Sequence, residues 1–124
     1  MSTEEFRCIA LSMEGAVEGA HMGHPDFRAN GRIFATLYPN GESGMVKLTP
    51  DQQQEFMRAD AGAFVPASGA WGRQGCTTVR LDLVAEEMLG EAMTLAWQNT
   101  VKNRVVGQSK TKRSTKPLKP AGKL

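Results

Sequence analysis

The chain is poor in the side chains from which most catalytic and metal sites are built. It has two histidines, two cysteines and one tyrosine in 124 residues. Cys8 and Cys76 belong to no close-spaced pair, so both are expected to act as small buried hydrophobes in a reduced, cytoplasmic protein. No apolar run approaches the ~20 residues needed to cross a bilayer, so no membrane partner is expected. The acidic start "MSTEEFRC" has no basic segment leading into an apolar one, and it does not read as a signal peptide. Ser12, Ser43, Ser68 and the two cysteines stand in no nucleophile motif. "GAWGRQG" is rich in glycine, but it precedes a strand pattern rather than opening a helix, so a phosphate-binding fingerprint fails. No internal repeat is visible. A non-enzymatic protein without cofactor or metal is expected.

What is present is an uneven charge. The overall balance is +2, yet residues 107–124 alone carry six cations and no acid. These are Lys110, Lys112, Arg113, Lys116, Lys119 and Lys123. The first 106 residues are therefore net acidic, with nine basic against thirteen acidic side chains. Pro117, Pro120 and the Ser/Thr/Lys content deny the basic stretch a core, so it reads as a disordered tail on one domain, 1–106.

Periodicity outlines the domain. Phe6, Ile9, Ala10 and Met13 mark an amphipathic helix over Thr3–Met13. "GAVEGAHMGHP" reads as loop. Asn30-Gly31 between strand formers predicts a type I′ hairpin that sets Phe27 opposite Phe34 and Arg28 opposite Ile33. A further strand follows over Gly44–Leu48. "TPDQ" predicts a helix start with Thr49 as cap, Pro50 first and Gln52 closing a capping box. A short edge strand at Ala63–Val65 and an alternating "CTTVRLDLV" strand come next, with Val79, Leu81 and Leu83 on one face. Leu89, Ala92, Met93, Ala96, Trp97 and Val101 stripe a last helix over Ala85–Val105, about 30 Å long at 1.5 Å per residue. Hairpin-joined strands with helices around them predict a two-layer α+β domain, an antiparallel sheet with helices packed on one face.

Four segments in this order carry a resemblance: "HMGHPDFRANGRIFATL", "VKLTPDQQQEFM", "FVPASGAWGRQGCTTVRLDL" and "AWQNTVKNRVV". Over about residues 5–106 the chain resembles the MmcQ/YjbR family of small bacterial proteins. It departs from the family pattern at the last helix start, where Val84 stands in place of an acidic cap. The resemblance implies a two-layer α+β fold with an antiparallel sheet. It also implies DNA binding through a "double-wing" arrangement. A further likeness of that fold to secretion chaperones implies the alternative, a protein-interaction or small-ligand-binding module.

The candidate site follows from strand alternation. If Val46, Leu48, Val79 and Leu81 face the helices, Lys47 and Arg80 face outward, because a strand repeats every two residues. One of Arg28 and Arg32 joins them, and Arg73 lies in the loop before the last strand. Such a face could seat DNA phosphates, with Lys110, Lys112, Arg113 and Lys116 of the tail adding non-specific affinity. The competing reading is that cations on an open face serve only solubility and edge protection. Trp71 is expected to be buried among its glycines. Trp97, Met88 and Met93 are expected in the core. His21 and His24, with Glu18 and Asp26 nearby, lie among glycines and Pro25. Their three-residue spacing there says little about a metal, and a shaped connection into the hairpin is the better reading. The expected function is weakly sequence-specific DNA binding by a monomer or homodimer.

Overall fold

The computed structural model describes the backbone of residues 1–106 and the side chains through residue 101. The basic stretch, with Lys110, Lys112, Arg113 and Lys116, lies outside the described residues. The elements run α1 (Thr3–Leu11), β1 (Val17–His21), β2 (His24–Ala29), β3 (Arg32–Leu37), β4 (Ser43–Lys47), α2 (Pro50–Ala59), β5 (Phe64–Pro66), α3 (Gly69–Arg73), β6 (Cys76–Arg80) and α4 (Glu86–Val106). The strands form one antiparallel sheet in the order β1-β2-β3-β4-β6-β5. The α+β architecture is as expected.

Local chemistry explains the boundaries. Ser2 and Glu5 form a reciprocal capping box at the start of α1, and Thr49 and Gln52 form one at α2. Phe6, Phe27, Phe34, Val46, Phe64, Val79, Leu89 and Met93 are fully buried between the sheet and the helices. Each such side chain stabilises the fold by about 1.5–3 kcal/mol on burial. The stripe of α4 is as expected through Leu89, Ala92, Met93 and Ala96. Beyond it Thr100 is buried and Val101 is not, and Trp97 is half-buried with its indole N–H donated to Glu14 O at 2.8 Å.

Several expectations need correction. "VEGAH" is a strand, not a loop: β1 pairs with β2 across a Met22-Gly23 turn whose residues have φ of 53° and 81°. That is the same turn chemistry as Asn30-Gly31, at 55° and 76°, but with a methionine at the first position. β1 is an edge strand with little buried side chain, so it has no hydrophobic alternation to betray it. In the second hairpin Arg28 opposes Ile33 as expected, but Phe27 opposes Ala35 and not Phe34. A bulge in β3 causes the shift, and it lets two consecutive side chains, Phe34 and Ala35, both be buried. β6 ends at Arg80, so Leu83 leaves the sheet and is exposed. "GAWGR" is a short helix, and Cys8 is exposed while Cys76 is buried.

Candidate functional site

The face of the sheet away from the helices is set by register. Lys47 opposes Cys76, Met45 opposes both Thr36 and Thr78, and Ser43 opposes Arg80. Lys47 and Arg80 therefore share the outer face, as alternation requires. They stand four residues apart along paired strands, ~13 Å at 3.3 Å per residue.

This face is not an open cationic plane. Arg80 lies 3.4 Å from Asp82. Arg28 makes a two-pronged contact with Asp26, at 2.8 Å through Nε and 3.0 Å through Nη2. Arg7 and Arg58 are also paired with glutamates. Among the described residues, Lys47, Arg32 and Arg73 have no carboxylate within 4 Å. Of the two hairpin arginines it is Arg28, opposite Ile33, that joins this face; Arg32 opposes the core residue Ala29 and reaches Lys47 only along a hollow at one end of the sheet.

Trp71 stands at that end. Contrary to expectation it is 62% exposed, because α3 carries it out of the chain between β5 and β6 and over the sheet face. The Lys47 ammonium rests 5.8 Å from the centre of its ring. Such a contact is worth about 0.5–1 kcal/mol when exposed, so it is easily exchanged for a stronger partner. Cys76 lies beneath. Burial pushes its thiol up, against the opposing pull of Lys47, so it stays protonated and weakly reactive at neutral pH.

Two hollows meet at Trp71. One, about 470 Å³, extends past Arg32, Gln74 and Thr100 toward α4. The other, about 490 Å³, runs across the outer face past Met45 to His21, His24 and Tyr38. Ile33, Lys47, Trp71 and Cys76 line both. His21 and His24 face each other across the β1–β2 turn with rings 6.3 Å apart, and His24 meets Tyr38 edge-on. The second hollow thus has aromatic walls. Sequence reasoning missed it, because strand β1 was not visible and Trp71 was expected inside.

Asp26 is fully buried on this face. Gly19 of β1 lies directly over it, so close that a Cβ there would meet Asp26 Oδ1 at 2.9 Å. The Arg28 hydrogen bonds hold the Asp26 carboxyl below the usual carboxylate range. Burial opposes this, and the charges of Arg28 and His21 assist it. A depressed carboxyl stabilises the fold above its unfolded pKa, ~3.9, and the contribution is lost as pH falls through the lower folded value. Asp26→Asn should therefore be less stable than the wild type at pH 7, with the gap closing below about pH 4. Urea denaturation at both pH values checks this, and a gap that is the same at both would exclude the ion pair as its source.

The chain is thus an α+β domain with one sheet face covered by helices and the other hollowed beside an exposed indole. It belongs to the YjbR family, whose model matches residues 11–99. A crystal structure of the Deinococcus radiodurans protein DR2400, assigned to the family domain DUF419, shares the fold with a TM-score of 0.71. That likeness covers 83% of this chain and 80% of DR2400 at 18% identity. No curated protein matches the chain. Among the described residues, no helix is long and apolar enough to cross a membrane.

Proposed function

We infer that this protein binds nucleic acid, DNA by the resemblance of its family, without transforming it. The observation that carries the reading is the exposed Trp71 with the uncompensated Lys47 ammonium against its ring and Arg32 lining the same hollow. An aromatic platform next to free cations suits a base and its phosphate, and such stacking tolerates any sequence. The contact set differs from an even cationic face. Arg28 and Arg80 are held by Asp26 and Asp82, so Lys47, Arg32 and Arg73 supply the phosphate contacts from the domain. Lys110, Lys112, Arg113, Lys116, Lys119 and Lys123 add sequence-independent affinity.

Fluorescence anisotropy of labelled DNA against salt tests this. Three domain cations and six tail cations correspond to a log–log slope of about −6 for a single strand, and removal of 107–124 should bring it to about −2. Lys47→Gln should make the slope shallower by about 0.7. Failure to bind DNA at low salt would end the reading. A second reading, a small-ligand module, is favoured by the mainly apolar, aromatic-walled hollow and by the net acidity of residues 1–106. Binding of a small aromatic anion together with no retention of DNA would select it.

A further inference from the structure

We propose that the hollow beside Trp71 is a pocket for one unpaired nucleotide, its base stacked on the indole and its phosphate held by Lys47 and Arg32. This rests on the nucleic-acid reading and narrows it to single strands. Three features carry it.

The first is shape. Trp71 stands on the shared wall of two hollows of about 470 and 490 Å³. Each lies in the range of small-ligand sites, and together they provide separate room for a base and for a sugar-phosphate. A double helix offers its bases only by their edges, to elements that protrude into a groove. A concave wall reads a base that has left its stack.

The second is charge placement. A duplex rewards many cations spread along its backbone. Here Arg28 is committed to the buried Asp26 and Arg80 is drawn to the exposed Asp82, while Lys47 rests against the indole and Arg32 lines the adjoining hollow. That arrangement matches one or two phosphates at a fixed distance from one base.

The third is the chemistry of the far wall. His21, His24 and Tyr38 form a continuous run of rings opposite Trp71's end of the hollow. Ser68 borders the same space, and its hydroxyl makes no capping bond to α3. Flat π surfaces and one free hydroxyl can hold a base by its faces and one edge, which gives weak rather than strict base preference.

The test compares three probes on the full chain at matched salt: thymidine monophosphate, a decathymidylate strand, and a ten-base-pair duplex. The strand is expected to bind at least tenfold more tightly than the duplex. Trp71→Ala should weaken strand binding ~10-fold or more, a larger factor than its effect on duplex binding, and Trp71→Phe should restore part of the loss. Trp71 is exposed, so these variants are expected to fold, and circular dichroism checks that they do. Equal or tighter duplex binding, or a strand affinity indifferent to Trp71→Ala, overturns the pocket while leaving nucleic-acid binding intact. No binding of either polymer overturns both. The monophosphate separates the sources of the ligand: affinity equal to that of the strand identifies a free nucleotide, and much weaker affinity identifies a polymer.

Discussion

Gly75→Ala is expected to cost about 3 kcal/mol or more and to lower the melting temperature by ~10–20 °C. Gly75 has φ of +110°, a backbone conformation that side chains rarely adopt. A Cβ there would also lie 2.1 Å from Leu48 O and 2.7 Å from Thr49 C. Both atoms are backbone and belong to the segment from β4 to α2, so neither can swing aside. Gly41→Ala separates the two contributions. Its φ is +72°, yet nothing lies within 4 Å of the added carbon, so only the conformational cost of about 1 kcal/mol remains. Thermal unfolding of the two variants gives the comparison. Equal losses would mean that collision with Leu48 contributes nothing.

The second large effect is expected from Gln53→Glu. Gln53 is 5% exposed on α2, and its amide nitrogen reaches Gly72 O and Cys76 O at 3.0 Å each and Thr77 Oγ1 at 3.2 Å. One side chain thus ties α2 to α3 and β6. The substitution keeps the shape and replaces the donor with a buried carboxylate facing two carbonyl oxygens. The loss at pH 8 should be about 3 kcal/mol. Burial and the facing oxygens favour the protonated acid, which raises its folded pKa above the unfolded value of ~4.3. The folded state then binds more protons than the unfolded state, so stability is recovered as pH falls. Urea titrations at pH 8 and pH 5 should show the gap to wild type narrowing at pH 5. A gap of under about 1 kcal/mol, constant with pH, would show that the amide is not needed as a donor.

Much of the fold is legible in the residues themselves, and the limits are physical. Thr49 and Gln52 announce a helix start because capping is local chemistry, and the structure has both bonds. Val46, Leu48, Val79 and Leu81 announce the buried face because their alternation is forced by the strand. β1 escaped because an edge strand can be held by backbone pairing alone, and Glu18, Gly19 and Ala20 carry no hydrophobic alternation. The bulge at Phe34 escaped because it depends on how Phe27 and Ala35 fill the core. Lys47 and Arg80 were correctly placed on one face, but their partners could not be read. Asp82 is a sequence neighbour of Arg80 with no motif to mark the pair, and Asp26 is drawn to Arg28 by a burial that β1 completes. Trp71 was misplaced because a lone tryptophan is usually interior, whereas Gly72 and Gly75 here press their own backbone against Ala67 and Leu48 and leave the ring outside.

That last arrangement has a kinetic consequence. The indole is mounted on a segment riveted by Gly72, Gly75 and Gln53, and the ammonium is mounted on a central strand of the sheet. Neither mount has to become ordered when a guest arrives. Association should therefore proceed at the ~10⁵–10⁷ M⁻¹s⁻¹ of preformed surfaces, with a single exponential phase that scales linearly with concentration and no plateau from a slow rearrangement.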